Sequence, residues 1–284
     1  MNKEAFNKLM GYPMETIEAL AKQLQEINGN RIVELAQTAS RNKDYDTAAR
    51  CYAYVAGKGR DNPYFFTART QSLRMRMEPL LEAIPSDTKA IADLTVEYEQ
   101  TLNDLGLTEE TAGIAKDLAH AQAFYLQSPT QAIELLESVL EIPGIYDRMA
   151  ALCKLELGDI LVFQNNIWDA SLLFSQVELD FKDDFFGHEA KFRNARISYY
   201  AGDFDWAQAQ LDALKASTSK LISNDAIDLS LLITDNYAMD TISEPMWLYA
   251  QADLLAEQHR YDEARSKLDS ILAIWPGHAL EDEI

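Results

Sequence analysis

The sequence has few residues of the kinds that build disulfide or metal sites. Only two cysteines occur in 284 residues, Cys51 and Cys153. Each lies inside an apolar helical pattern, so we expect two buried, reduced thiols. Two isolated cysteines give neither a disulfide framework nor zinc-ligand spacing, and four scattered histidines lack any metal motif. The sequence therefore predicts no metal and no cofactor.

Basic residues are also scarce. Lys and Arg total 25 against 46 Asp and Glu, a net charge of −21. So acidic a surface repels phosphate backbones and anionic lipids, which argues against nucleic acid as a partner and leaves basic or neutral polypeptides. No apolar run is long enough for direct membrane insertion, and the opening residues lack a signal-peptide pattern. We expect a soluble chain of unknown compartment, cytoplasmic or, if the natural gene adds an export signal, periplasmic.

What the sequence does contain is helical periodicity. Hydrophobic residues make up 48%, enough for a continuous core, and no alternating strand pattern is convincing. The 11 glycines and 8 prolines fall mainly where one helix pair ends and the next begins. The sequence predicts an all-α protein with short loops.

The stretch from Lys154 to Val177 sets the pattern for the rest. It predicts two short helices hinged at Asn165–Asn166, with the small residues Gly158 and Ala170 where the helices come close. Alanines equivalent to Ala170 recur at positions 132 and 207, at spacings of 38 and 37 residues. The next one, at 264, lies 57 residues further on, and the excess matches an inserted helix. The chain is therefore interpreted as a series of helix hairpins.

We predict a single helical-repeat array over 1–284. Its repeat units lie at about 29–62, 111–144, 148–182, 187–216 and 244–277. Divergent helices occupy 1–28 and 63–110, where Pro79 should kink or end its helix. The inserted helix spans about 222–234. The last residues, HALEDEI, should begin another first helix, as in a fragment of a longer array or an abbreviated cap.

At these positions the chain resembles tetratricopeptide (TPR) repeat proteins. The residues that carry the resemblance in the central and last units are Leu157, Gly158, Leu161, Ala170, Phe174, Leu248, Ala252, Tyr261, Ala264 and Pro276. Asp44–Tyr45, Ala48 and Tyr52 match in the first unit, and Ala195, Gly202–Phe204, Ala207 and Leu211 match in the fourth. Part of the chain also resembles large, often exported bacterial TPR proteins of unestablished role.

The resemblance implies a TPR-like right-handed α-α superhelix, a solenoid of antiparallel helix hairpins whose first helices line the concave side. It also implies a protein or peptide partner. Two residues depart from the family pattern. His120 stands where the family has a small residue, and Asn194 stands where it has an apolar one. We expect both to widen helix contacts.

Aromatic residues mark a candidate groove on the first helices. Tyr125, Phe163 and Tyr200 recur at spacings of 38 and 37 residues. The ladder that we predict to bind a peptide adds three further positions, Phe192, Arg196 and Tyr249. The alternative is that the inserted helix or a neighbouring first helix covers these rings.

The sequence lacks the motifs of an enzyme. It has no Gly-rich turn between a strand and a helix and no nucleophile elbow. The function that it favours is a non-catalytic protein- or peptide-binding scaffold that uses the concave groove. The alternative is a structural component of a larger assembly, such as one of the cell envelope, without its own peptide groove; an enzyme accessory role is third.

Overall fold

The computed structural model describes residues 30–215, 220–237 and 242–284, and within these ranges it contains only helices and turns. The predicted helices of 1–28 lie outside the described residues. The all-α fold predicted from the sequence is confirmed. The helices of the first half are α1 Asn30–Arg41, α2 Tyr45–Ala56, α3 Phe65–Glu82, α4 Thr88–Leu105, α5 Ala112–Phe124 and α6 Pro129–Leu140. Those of the second half are α7 Asp147–Phe163, α8 Ile167–Asp180, α9 Phe185–Ala201, α10 Phe204–Lys215, α11 Lys220–Asn236, α12 Glu244–Glu257 and α13 Tyr261–Ile274.

The chain divides into two compact units, Met1–Ile145 and Tyr146–Ile284. In the first unit, consecutive helices pack on one another, α1 on α2, α2 on α3 and α5 on α6. Of the two effects predicted for Pro79, an early end of the helix is not seen, because α3 continues to Glu82, and the kink stays a prediction. Proline removes one backbone hydrogen bond, and this loss falls in the last turn, where little helix remains to be disrupted.

The basic segment of α3 is neutralised by acidic neighbours. Arg74 makes a bidentate pair with Asp117, with Nε–Oδ2 and Nη2–Oδ1 distances of 2.8 and 2.9 Å. Arg76 donates to Glu97 at 2.6 Å. The first unit therefore offers no basic patch at this position.

The central hairpin of the second unit turns where the sequence predicts. Helix α7 ends at Phe163, and Asn165 adopts a left-handed conformation with φ 64°. The Asn166 N–H donates to the Leu161 carbonyl at 2.8 Å, and α8 begins at Ile167. Asparagine tolerates this backbone conformation better than most residues, which explains its place at the turn.

Gly158 brings α7 and α8 together. A Cβ atom built on Gly158 would lie 2.2 Å from Cε1 of Phe174, so the Phe174 ring occupies the space that any side chain would need. Phe174 and Ala170 are both fully buried. A side chain at position 158 would therefore have to displace the buried Phe174 ring.

The next hairpin is α9 and α10, joined through Gly202 in a left-handed conformation with φ 82°. Helix α11, the predicted insertion, follows and packs on α10, where Gln208 Nε2 donates to the Ser230 hydroxyl at 2.6 Å. The last hairpin, α12 and α13, is tied to the central one by a buried amide. Gln258 Nε2 donates to the Val162 carbonyl at 3.1 Å, across 96 residues of sequence.

The C-terminal residues do not form an α-helix like the other first helices. They form a short 3₁₀ turn over Ala279–Asp282, in which the Leu280 N–H donates to His278 Nδ1 at 3.1 Å. Leu280 is fully buried in the core of the second unit. The local side-chain bond and this anchor favour a tight turn over a regular helix.

Both cysteines are buried, as predicted from the sequence. Burial raises the pKa of the Cys51 thiol to about 11, which leaves almost no thiolate near neutral pH. We expect iodoacetamide at about pH 8 to label neither thiol in the native protein and both in urea. Mass spectrometry after quenching measures this. Rapid native labelling of Cys51 would contradict the packing of α2.

Candidate functional site

The predicted ladder residues lie in both units. Tyr125 follows α5 in the first unit, where its half-buried ring lies 6.0 Å from that of His120. The other five lie in the second unit. Phe163 meets the His259 ring edge-on at 5.4 Å, and Phe192 is half-buried against the core. Tyr249 donates to the Glu283 carbonyl at 3.3 Å.

Tyr200 is not on the surface, contrary to the prediction. Its side chain is 3% exposed, and Gln251 of α12 donates to its backbone carbonyl at 2.7 Å. Arg196 donates to the Tyr200 hydroxyl and lies over its ring, and the same guanidinium pairs with Glu257 of α12 at 2.7 Å. The neighbouring first helix α12 therefore covers Tyr200. This is the arrangement that the alternative interpretation of the ladder predicted for its rings.

A second buried contact joins the same two helices. The Tyr199 hydroxyl donates to Asp253 at 2.6 Å. Burial raises the pKa of the Asp253 carboxyl, although the bond from Tyr199 acts in the opposite direction. In the folded state this carboxyl therefore binds its proton more tightly than in the unfolded chain.

This shift predicts a pH dependence. Above the ordinary aspartate pKa of about 3.9 and up to the raised folded-state pKa, the folded state binds more protons, so stability falls as the pH rises. Asp253→Asn should remove this fall, and Tyr199→Phe should enlarge it by removing the donor that favours the charged form. Urea unfolding at several pH values measures both. If the stability of the unchanged protein and of both variants depended on pH in the same way, the pH dependence would not come from Asp253.

The second unit contains a polar pocket formed by three helices. Its volume is about 250 Å³. Its walls come from α8 and α10 and its floor from α9, with lining residues Ser171, Ser175, Glu178, Lys191, Asn194, Ser198, Trp206, Ala209 and Gln210. Most of these side chains carry hydrogen-bonding groups, which is unusual between packed helices.

Asn194 is the centre of a hydrogen-bond network in this pocket. It is 7% exposed, its side-chain oxygen accepts from Ser171 at 2.9 Å, and its amide donates to Ser175 at 3.1 Å. Next to it, Gln210 Nε2 donates to the Ser198 hydroxyl at 2.9 Å. These bonds fix the polar groups in place, so the pocket is built before any ligand arrives.

Lys191 and Glu178 form an ion pair of 3.4 Å in the pocket wall. The indole of Trp206 is 58% exposed and forms part of the lining. The pocket therefore presents an aromatic surface, an ion pair and a fixed set of neutral polar groups.

An exposed apolar stripe runs beside the pocket on α8. It consists of Trp168, Leu172 and Leu179, which are 66%, 64% and 79% exposed. Their spacing of four and seven residues places them on one helix face, next to the face of Ser171 and Ser175. Large apolar side chains that share one exposed surface are a typical feature of protein-interaction sites.

One residue of this pocket could be recognised from the sequence, and the other lining residues could not. Asn194 was recognised as a polar residue where the central unit has Leu157, and a widened contact was expected. The serines of α8 carry no such signal, because Ser171 and Ser175 resemble ordinary surface residues of a second helix. Among the described residues, no group of three or more His, Cys, Asp or Glu side chains is arranged to hold a metal ion.

The hairpins define an α-helical repeat protein with TPR-like helix pairs. No protein-family model and no curated protein matches the sequence. A crystal structure of a tetratricopeptide repeat protein from Parabacteroides merdae ATCC 43184 is similar at 12% identity, with a TM-score of 0.48. The match covers 90% of this chain and 96% of that one. At this level of likeness the fold assignment rests on the helix packing described above. In the described residues, no helix combines the length and apolarity needed to cross a membrane.

Proposed function

We propose that the protein is a non-catalytic scaffold that binds a protein or peptide partner on the second-helix face of its second unit. The observation that carries this proposal is the exposed stripe of α8 beside the pocket lined by Trp206. Solvent-exposed tryptophans that border a preformed pocket are typical of the residues that dominate binding energy at protein interfaces.

Charge favours a basic or neutral partner. Residues 146–284 hold 11 Lys and Arg against 25 Asp and Glu. The field of this unit attracts cationic polypeptides and repels nucleic acid and anionic membranes. A partner with basic residues outside the contact area would associate faster, with a rate that falls as salt increases.

In the second unit, the predicted ladder residues on the first helices are less suited to bind a partner. Tyr200, Arg196 and Phe163 each have a partner within the chain, so a ligand would have to displace α12 or His259 to reach them. The α8 stripe requires no such displacement. We therefore place the binding surface on the second helices rather than in the predicted ladder.

Selection of binding peptides from a displayed random library tests the proposal. We expect selected peptides to lose about thirtyfold in affinity, some 2 kcal/mol, on Trp168→Ala or Trp206→Ala. Tyr261→Ala on α13 is the matched control, because its ring is 63% exposed elsewhere in the unit. Fluorescence anisotropy gives the affinities, and circular dichroism checks each fold.

Two outcomes would count against the scaffold. A library that yields no binder, or binders insensitive to both tryptophan substitutions, would favour the alternative of a structural component without its own peptide site. Equal losses on Tyr261→Ala would show that the substitutions act through the fold rather than through a contact.

A further inference from the structure

Two lining residues of the polar pocket, Ser175 and Gln210, have hydrogen-bonding capacity that the described residues do not use. Ser175 accepts from Asn194, and its own hydroxyl donates to no other described residue. Gln210 donates to Ser198 and to the Trp206 carbonyl, while its side-chain oxygen accepts from none of the described residues. A ligand that both donates and accepts would satisfy the two groups together.

The charges in the pocket favour a neutral ligand. Lys191 and Glu178 neutralise each other at 3.4 Å. An entering carboxylate would compete with Glu178 for the lysine, and an entering ammonium would compete with Lys191. Either would leave one partly buried charge without its partner, which is costly. A neutral group avoids this cost.

The surroundings favour a peptide side chain over an isolated small molecule. The stripe from Trp168 to Leu179 extends about 16 Å along α8, the length of several peptide residues. The pocket volume of about 250 Å³ is many times the ~10–15 Å³ that one water molecule needs on the same measure, so a side chain fits within it. The Trp206 indole provides an apolar surface for the methylene groups of such a side chain.

Building on the proposed function, we propose that the pocket recognises the carboxamide of an asparagine or glutamine in the partner. The carboxamide NH₂ donates to the Gln210 oxygen, and its C=O accepts from the Ser175 hydroxyl. Trp206 covers the stem of the side chain, while the flanking partner residues contact the α8 stripe. Asn194 acts as a positioning residue, because it fixes the rotamers of both serines on α8.

The same peptide library tests this inference separately from the scaffold. We expect selected peptides to share an Asn or Gln at one position. Replacing it in a synthetic peptide, Gln by Met, should weaken binding about tenfold through the loss of two hydrogen bonds. In the protein, Ser175→Ala should cause a similar loss, and should make the protein bind the Gln and Met peptides almost equally.

Asn194→Leu is the second variant. It introduces the residue type found at Leu157 and removes the hydrogen bonds that fix Ser171 and Ser175, so we expect loss of the Gln preference with no loss of thermal stability. Stripe-dependent binding without any Asn or Gln preference, or a preference for Lys or Arg, would overturn the inference and leave the scaffold intact. Binding insensitive to Trp168→Ala and Trp206→Ala would overturn the scaffold itself. Binding of neutral sugars in place of peptides would overturn both.

Discussion

Phe174→Ala is expected to lower the free energy of unfolding of the second unit by about 3–5 kcal/mol. The ring is fully buried between α7 and α8, and its removal leaves a cavity beside Gly158. Cavities left in a packed core collapse only in part, so the loss exceeds the transfer free energy of the ring. Urea unfolding followed by far-ultraviolet circular dichroism measures the change. A loss below about 1 kcal/mol would contradict the packing.

The same contact predicts that Gly158→Ala lowers the free energy of unfolding when Phe174 is present and raises it when Phe174 is replaced by alanine. With Phe174 present, the new methyl group would lie 2.2 Å from the ring, and overpacking of this kind costs about 1–3 kcal/mol. With Phe174→Ala the clash disappears, and alanine should stabilise the middle of α7 by up to about 1 kcal/mol through its helix propensity. The double-mutant cycle isolates this coupling. Equal effects in both backgrounds would show that Gly158 is not limited by Phe174.

Tyr200→Ala is expected to be a stability mutation, with a loss of about 3 kcal/mol or more. It removes a buried ring between α9 and α12 and leaves Arg196 with one partner fewer. The prediction from the sequence was weakened binding without unfolding, which assumed an open groove. The unfolding midpoint in urea distinguishes these two expectations.

Tyr200→Phe is the matched control for this site. It keeps the ring and removes only the hydroxyl that accepts from Arg196, which remains paired with Glu257. We expect a loss of about 1 kcal/mol, the usual value for one hydrogen bond. If alanine and phenylalanine have the same small effect, the ring does not pack beneath α12.

Local features of the fold were predictable because their causes are local. The turn at Asn165 and the close approach at Gly158 follow from residues within one hairpin, and the inserted helix follows from the longer spacing between Ala207 and Ala264. The C-terminal turn was not predicted, because it depends on Leu280 reaching the core of the second unit. Pro79 does not end α3 early, because only three residues of the helix follow it.

The candidate site was harder to predict for a similar reason. Helical spacing indicates which face a side chain occupies, but it does not indicate which distant segment covers that face. Tyr200 is covered by Gln251 and Arg196 is paired with Glu257, contacts that span 51 and 61 residues. Asn194 departed visibly from the repeat pattern. Its hydrogen bonds could not be predicted from α9 alone, because both serine partners lie on α8.

The amide of Gln258 has a consequence for how the second unit unfolds. In an ordinary repeat stack each pair touches only its neighbours, so end repeats fray independently and the unfolding transition broadens. Here the turn after α12 is bonded to the end of α7, two hairpins away in sequence. The last hairpin cannot detach without breaking a buried bond to the central one. We expect this long-range contact to slow the folding of the second unit and to sharpen its thermal unfolding transition.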